Sequence, residues 1–203
     1  FAILMPFFGS GEKVQVGPFD LYREGLIAGS GIVVKGTLGV MTAIILSTST
    51  TAREILRGLE LMHRIGYMHC DIKPSNIMVD RFATVKIIDF GRAISIKNPT
   101  GIFLGSPMYM APELHKREPL TPQADLYSAG LVLLELIHGD WIASPGSNED
   151  ELLELKRTLP DNLDPFIPSS FEHKDILIPI LKRLLAVNPE DRYQNASDAD
   201  SGL

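Results

Sequence analysis

The sequence contains a single cysteine, Cys70, and has no excess of positive charge. One cysteine cannot form a disulfide within the chain, which is compatible with a reducing compartment such as the cytoplasm. The 19 Lys and Arg residues are outnumbered by 25 Asp and Glu residues, so the net charge is −6. Nucleic acids and anionic membrane surfaces attract basic proteins. We therefore expect a cytoplasmic protein that binds no nucleic acid.

Long apolar runs are also missing. The longest, residues 38–46, is interrupted by Thr42 and is about half of the roughly 20 residues that a transmembrane helix needs. We therefore expect no membrane span in this chain. The first residue is Phe1 rather than Met, and no basic segment of a signal peptide follows it. This start indicates a chain taken from a longer protein.

Three short motifs follow one another in the middle of the chain. Residues 69–76 read His-Cys-Asp-Ile-Lys-Pro-Ser-Asn, and Asp89-Phe90-Gly91 and Ala111-Pro112-Glu113 come after them. Each motif alone is a weak signal, since a lone Asp-Phe-Gly is usually a turn after a strand. Asp71 precedes Asn76 by five positions, however, and Asn76 precedes Asp89 by thirteen. Motifs and spacing together resemble the catalytic core of eukaryotic-type (Hanks-type) serine/threonine protein kinases.

This resemblance implies ATP- and Mg²⁺-dependent transfer of phosphate to Ser or Thr of a protein substrate. Phosphoryl transfer requires mainly positioning and charge neutralisation from the protein. In that reading Asp71 accepts the substrate hydroxyl proton, and Lys73 neutralises charge on the transferred group. Asn76 and Asp89 are the implied metal ligands, and Asp89 thereby also binds the nucleotide. The pattern Asp-x-Lys-x-x-Asn is the one that implies a Ser/Thr acceptor.

The resemblance also assigns supporting roles. The segment from Gly105 to Glu113 resembles the one that docks the substrate residue beside the acceptor, so Ser106 would contact Asp71 and Lys73. Asp125 would accept backbone N–H bonds from the catalytic loop. The residues expected to be structural are His69, Phe90, Gly91, Asp125 and the ion pair of Glu113 with Arg192.

The start of the chain resembles the kinase hinge that holds adenine. Counted back from Glu12, a ribose-binding position, Met5 would be the gatekeeper, and the backbones of Pro6 and Phe8 would face the base. Met78 and Ile88 would form the apolar floor of the pocket. An ordinary place in the strand core is the alternative for these last two residues.

The fold class is therefore mainly α: a kinase-like C-terminal lobe, helical, with short pairs of β-strands around the catalytic loop. Residues 1–12 would be the last strand of the small lobe and the hinge, and residues 13–203 the C-terminal lobe with a glycine-rich insertion near 25–50. Apolar spacing predicts helices at 51–66, 125–137, 149–157 and 173–187, and strands at 77–79 and 85–88.

Two departures from the family pattern bear on activity. Cys70 replaces the arginine that pairs with a phosphorylated activation loop, which is the mark of non-RD kinases controlled in another way. The family's glycine-rich phosphate loop and strand lysine, both parts of its small lobe, do not precede the hinge. We therefore expect the isolated chain to be weak or inactive. The phrase Pro-Glu-Asp-Arg-Tyr-Gln-Asn-Ala at 189–196 favours a bacterial origin.

Two alternative functions remain open. A pseudokinase-like scaffold would bind a partner without transferring phosphate, and the missing small lobe favours it. A small-molecule phosphotransferase shares the H-x-D-x-x-x-x-N and acidic metal motifs. Lys73 and the Ala111-Pro112-Glu113 segment, which serve peptide docking in the kinase family, argue against this second alternative.

Overall fold

The structure is a computed structural model that describes residues 13–16, 19–22, 49–80, 84–99, 106–116, 118–143, 146–169, 171 and 174–202. It divides into two compact units, residues 1–44 and 45–203. The predicted strand and hinge at 1–12, with Met5, Pro6, Phe8 and Glu12, lie outside the described residues, as do residues 25–48 of the predicted insertion. In the first unit, strands β1 (Lys13–Val16) and β2 (Phe19–Tyr22) pair antiparallel, with Lys13 opposite Tyr22.

The second unit is mainly helical, as the sequence predicts. Its helices, as far as they are described, are α1 (Ser49–Arg64), α2 (Pro112–His115), α3 (Gln123–His138), α4 (Glu149–Thr158), α5 (Lys174–Leu184) and α6 (Ala196–Asp200). All four predicted helices are present, with ends shifted by no more than three residues. None of the helices in the described ranges is long and apolar enough to cross a bilayer.

Helix α1 presents one apolar face to the core and brings the chain to the catalytic loop. Ile55, Leu56 and Leu59 are fully buried, as expected for apolar residues that recur at helical spacing. The helix ends before Gly66, which has φ of 94° and donates its N–H to the carbonyl of His63. This left-handed conformation favours glycine because it has no Cβ.

Helix α3 runs through the core and is buried over the stretch from Ala124 to Leu134. It packs against both α1 and α5. Gly130 allows the close approach of α5, because a Cβ there would meet the Cβ of Leu184 and the Cδ2 of Leu185 at 3.0 Å each. The helix predicted at 125–137 is therefore buried on all sides over most of its length.

Two short antiparallel strand pairs flank the catalytic loop. Strand β3 (Tyr67–Met68) pairs with β6 (Ile94–Ser95), and β4 (Ile77–Val79) pairs with β5 (Val85–Ile87). The strands of the second pair were predicted from the sequence. The structure adds their register, in which Ile77 lies opposite Ile87. Since the loop enters from β3 and leaves into β4, both its ends are held by backbone pairing.

Helix α5 ends at Leu184, three residues before the predicted boundary at 187. The reason lies in the carbonyl groups that follow. The guanidinium of Arg192 donates hydrogen bonds to the carbonyl of Ala186 at 2.7 Å and to that of Val187 at 2.9 Å. A buried cation therefore satisfies carbonyl groups that a longer helix would have directed along its axis.

Candidate active site

The catalytic loop is fastened to the core by one buried carboxylate. Asp125, at the start of α3, accepts hydrogen bonds from the backbone N–H groups of His69 and Cys70, each at 2.8 Å. The side chain of His63 donates to the same carboxylate at 2.9 Å. Cys70 has φ of 66°, a left-handed conformation that is uncommon for residues other than glycine. The two N–H bonds hold the chain in this turn and aim the next residue, Asp71.

Asp71 is buried and lies where the catalytic loop meets the segment that begins at Ser106. The ammonium of Lys73 donates to Asp71 Oδ2 at 2.8 Å and to Ser106 Oγ at 3.2 Å. Ser106 donates its backbone N–H to Asp71 Oδ1 at 3.3 Å and its hydroxyl to the same atom at 3.2 Å. The structure thus brings these three predicted residues together at one carboxylate.

Asn76 lies inside the loop and braces Asp71 from the other side. Its amide nitrogen donates to the backbone carbonyl of Asp71 at 2.8 Å and to Asp71 Oδ2 at 3.3 Å. These bonds leave the amide oxygen of Asn76 as the atom available to a metal ion. The backbone carbonyl of Asn76 accepts the N–H of Ile88 at 2.9 Å, which ties it to the residue before Asp89.

Asp89 is exposed and adopts a left-handed conformation with φ of 65°. Its Oδ1 accepts the N–H of Gly91 at 3.4 Å. Within the described ranges no three His, Cys, Asp or Glu side chains lie close enough together to hold a metal ion. Magnesium is commonly held by one or two protein oxygens together with waters and substrate phosphates. The oxygens of Asn76 and Asp89 therefore fit Mg²⁺ bound with a nucleotide.

Arg92 is a neighbour of Asp71 that the sequence analysis missed. Its guanidinium lies 3.5 Å from Asp71 Oδ1. Burial raises the pKa of Asp71, but the hydrogen bond and charge of Lys73, followed by the charge of Arg92, lower it further than burial raises it. The resulting pKa lies below the ordinary value, so the carboxylate is ionised at neutral pH. A cation directly after Asp-Phe-Gly was the available signal for Arg92.

His69 and Phe90 join the catalytic loop to the Asp-Phe-Gly motif. The buried His69 ring donates from Nε2 to the carbonyl of Ile88 at 3.0 Å. The His69 and Phe90 ring centroids are 5.3 Å apart, although Phe90 remains 56% exposed. At Gly91 a Cβ would meet Asp89 Oδ1 at 3.2 Å, so a side chain there would crowd the carboxylate.

The two residues predicted for the adenine floor belong to the β4–β5 pair or adjoin it. Met78 is in β4 and is 54% exposed, while Ile88 directly follows β5 and is half-buried. An exposed methionine is unusual for strand core and leaves apolar surface available to a ligand. Their place in an adenine floor stays a prediction.

The segment 106–110, which we call the docking segment, folds as a tight turn. Ser106 O accepts the N–H groups of Tyr109 and Met110 at 2.9 and 3.1 Å. The Tyr109 hydroxyl donates to Glu135 at 2.6 Å, and burial together with this carboxylate raises the pKa of Tyr109. The Tyr109 carbonyl accepts the hydroxyl of Ser128 at 2.8 Å. Helix α3 therefore holds the docking segment through two hydrogen bonds with Tyr109.

Glu113 and Arg192 form the expected ion pair, fully inside the protein. Both guanidinium NH2 groups donate to the carboxylate at 2.7 Å, a bidentate arrangement across 79 positions of sequence. Arg192 is completely buried, and its Cζ lies 4.7 Å from the centroid of the Tyr127 ring. This pair connects α2, which follows the docking segment, to the chain just before α6.

Known proteins with similar sequences are serine/threonine-protein kinases. STE20 of Eremothecium gossypii is 35% identical over 152 residues, which make up 71% of this chain and 15% of that protein. PknB of Mycobacterium leprae is 31% identical over 155 residues, 72% of this chain and 24% of that protein. The chain thus spans less than a quarter of the length of these curated relatives. The family model described as protein kinase domain matches residues 41–199, and the chain belongs to the protein kinase domain family.

Proposed function

We propose that the protein that contains this chain transfers the terminal phosphoryl group of ATP to Ser or Thr side chains of other proteins. The observation that carries this proposal is the contact of Asp71 with Lys73 and Ser106. The Asp71–Ser106 hydrogen bonds span 35 positions, so folding alone brings a carboxylate, a cation and a docking residue to one point. A small-molecule phosphotransferase has no evident use for this docking segment.

The residues of the loop divide the work. Asp71 is ionised and orients the attacking hydroxyl, whose proton it accepts as the bond to phosphorus forms. Lys73, at 2.8 Å from Asp71 and 3.2 Å from Ser106, stabilises negative charge on the transferred group. Asn76 and Asp89 supply the oxygens that would hold Mg²⁺. When bound, Mg²⁺ neutralises the charge of the triphosphate.

Control by a route other than activation-loop phosphorylation is part of this proposal. Cys70 takes the place of the family's phosphate-binding arginine and offers no positive charge. Burial, and next the charge of Asp125, raise the pKa of Cys70 from 9.0 to about 12. The thiol is therefore protonated at neutral pH and poorly reactive, which supports a packing role over a redox switch.

We further propose that the glycine-rich loop and the strand lysine that bind the triphosphate in this family are supplied from outside these 203 residues. Met78 and Ile88 would then form the floor of the adenine pocket, with Met5, Pro6, Phe8 and Glu12 as the hinge. On this view the protein acts in the cytoplasm, and the isolated chain transfers phosphate weakly or not at all. A pseudokinase-like scaffold is the second candidate, favoured by the lack of a G-x-G-x-x-G sequence in the chain.

The test is an assay of the full-length protein with [γ-³²P]ATP, Mg²⁺ and a generic Ser/Thr protein substrate. Asp71→Asn should lower kcat by about 10²–10⁴-fold, because the neutral amide cannot accept the hydroxyl proton. Asp164→Asn is the matched control: it makes the same chemical change at a carboxylate that is 80% exposed and paired only with Lys174 in the described part of the chain.

The outcomes separate the candidates. Phosphotransfer by the wild type and by Asp164→Asn, with loss in Asp71→Asn, supports a protein kinase. If Asp71→Asn keeps more than a tenth of wild-type kcat, Asp71 is not the base. If the full-length wild type binds a protein partner and transfers no phosphate, the scaffold is favoured.

A further inference from the structure

Lys156 is a buried cation on a helix that is otherwise well supplied with exposed charge. It lies in α4 and is only 1% exposed, whereas its neighbour Arg157 is exposed. Removing an ammonium group from water is costly unless its donors find acceptors. A lysine in this position therefore needs a structural or functional reason.

All three N–H donors of Lys156 reach acceptors: two lie in the docking segment and one is at the end of α2. The ammonium donates to the carbonyl of Pro107 at 2.5 Å, to the carbonyl of Met110 at 2.8 Å and to His115 Nε2 at 3.0 Å. An ammonium has three N–H groups, so its hydrogen-bonding capacity is filled. The two carbonyl groups bracket Met108 and Tyr109, the middle of the docking segment.

The nearest carboxylate acts on Lys156 through His115. His115 donates from Nδ1 to Glu149 Oε1 at 2.9 Å, which leaves Nε2 free to accept from Lys156. His115 and Glu149 are the titratable groups that face Lys156 among the described residues, one from α2 and one from its own helix. Because no carboxylate touches the ammonium directly, the neutral carbonyl groups are its main partners.

The docking segment is thus held by three parts of the structure. Ser106 is fixed to Asp71, and Tyr109 is fixed to α3 through Glu135 and Ser128. Lys156 adds the connection to α4, and it binds the backbone instead of a side chain. A backbone contact sets the path of the segment whichever side chains it carries. The spacing between segment and loop would change if this connection were lost.

We propose that Lys156 is a positioning residue that holds the docking segment in the shape that receives the acceptor peptide. This inference rests on the proposed kinase function. It adds a residue from outside the three sequence motifs to the peptide-binding machinery, and it links α4 to peptide affinity. Lys156 would affect the peptide through the segment and would not touch the reacting atoms.

The charge of Lys156 makes this role sensitive to pH. Burial lowers the pKa of Lys156 from 10.5 to about 7, and Glu149 opposes this shift in part. Burial, followed by the charge of Lys156, also lowers the pKa of His115, so His115 is neutral above pH 6.5. As pH rises from 6.5 to 8.5 the ammonium loses a proton and one donor. The hydrogen bonds from Lys156 to the docking segment should therefore weaken over that pH range.

The experiment measures KM for a peptide substrate, KM for ATP and kcat in the full-length protein from pH 6.5 to 8.5. Lys156→Met should raise the peptide KM about 10-fold near pH 6.5, because the docking segment loses two hydrogen bonds that fix its path. The KM for ATP should change less than about 2-fold. Arg157→Met, one position along the helix and exposed, is the matched control and should behave as wild type.

The pH profile distinguishes positioning from a general structural role. In the wild type the peptide KM should rise with a midpoint near pH 7, and in Lys156→Met this rise should be absent. Glu149→Gln changes an exposed carboxylate and should leave the fold intact. It should move the midpoint to lower pH, because Glu149 stabilises the charged form of Lys156.

Hydrogen exchange gives a readout that does not need catalysis. The amides of Tyr109 and Met110, both bonded to Ser106 O, should exchange faster in Lys156→Met than in Arg157→Met. With an active wild type, an unchanged peptide KM and an unchanged profile in Lys156→Met and Glu149→Gln would overturn the role of Lys156. An inactive wild type would overturn the proposed function, and unchanged exchange at both amides would then overturn the inference as well.

Discussion

Arg192 and Lys156 are both buried cations, and the structure stabilises them in different ways. Arg192 fills all five of its donors: two reach Glu113 and three reach the carbonyl groups of Ala186, Val187 and Gln123. Lys156 has carbonyl groups and an imidazole as partners. Its positive charge is therefore compensated less completely, and burial lowers the pKa of Lys156.

The Glu113–Arg192 pair predicts an asymmetric response to substitution. Glu113→Gln leaves a buried guanidinium without its counter-ion and should lower the free energy of unfolding by about 3–5 kcal/mol. The double variant Glu113→Gln with Arg192→Met removes both charges and should lose less than the sum of the two single changes. Urea unfolding followed by the fluorescence of Trp141, the one tryptophan of the chain, measures this. Additive losses would show that the pair does not act as a unit.

At the scale of elements, the geometry of the site depends on the position of α3. Asp125 at its start holds the catalytic loop, and Glu135 near its end holds Tyr109 of the docking segment. Between them, Gly130 lies against the end of α5. A shift of α3 along its axis would therefore move both halves of the candidate site.

Gly130→Ala tests this packing. Alanine favours helix over glycine by about 1 kcal/mol, but its Cβ would meet Leu184 and Leu185 at 3.0 Å. Overpacking of this kind costs about 1–3 kcal/mol, so we expect a net loss of stability in urea unfolding. Gly58→Ala in α1 is the comparison, since its Cβ would meet mainly the mobile end of Ile87 at 2.9 Å. A Gly130→Ala protein more stable than Gly58→Ala would contradict this account of the helix contact.

At the scale of the whole molecule, the buried lysine should affect stability in the direction opposite to its effect on peptide binding. Its pKa is 10.5 when unfolded and about 7 when folded, so between these values the unfolded chain binds more protons. The free energy of unfolding therefore rises with pH above 7. The cost of burying the charge is fully present below pH 7 and shrinks as the proton is lost.

Urea unfolding at pH 7, 8 and 9 measures this dependence. The wild type should gain stability across the series relative to Lys156→Met, which lacks the titrating group. Cys70 acts in the opposite direction above pH 9, because its pKa is 9.0 when unfolded and about 12 when folded. The folded protein then retains a thiol proton that the unfolded chain loses, so the contribution of Cys70 offsets the rise from Lys156 between pH 9 and 10.5. A parallel pH dependence in the two proteins would refute the assignment to Lys156.

The relatives bear on the whole molecule as well. Similarity reaches both STE20 of Eremothecium gossypii and PknB of Mycobacterium leprae at 35% and 31% identity. The bacterial origin suggested by the phrase at 189–196 therefore stays a prediction. So do the domain division at 12/13 and the roles of Met5, Pro6, Phe8 and Glu12, which belong to residues outside the described ranges.

Much of the local structure could be predicted because its causes lie close together in sequence. The apolar spacing of Ile55, Leu56 and Leu59 determines a buried helical face within a few turns. The end of α5 was predicted three residues too late, because the side chain of Arg192, which lies outside the helix, donates hydrogen bonds to the carbonyl groups of Ala186 and Val187. Local periodicity carries no information about such a partner.

The sequence by itself determined the protein kinase family and the mainly helical fold, and it predicted Asp71, Lys73, Asn76 and Asp89 as site residues. Only the tertiary structure decided that Arg92 lies 3.5 Å from Asp71 and that Lys156 donates to the docking segment. The physical reason is that motif order and periodicity are properties of neighbouring residues. The Lys156 contacts join groups 46 and 49 positions apart, and only packing brings such groups together.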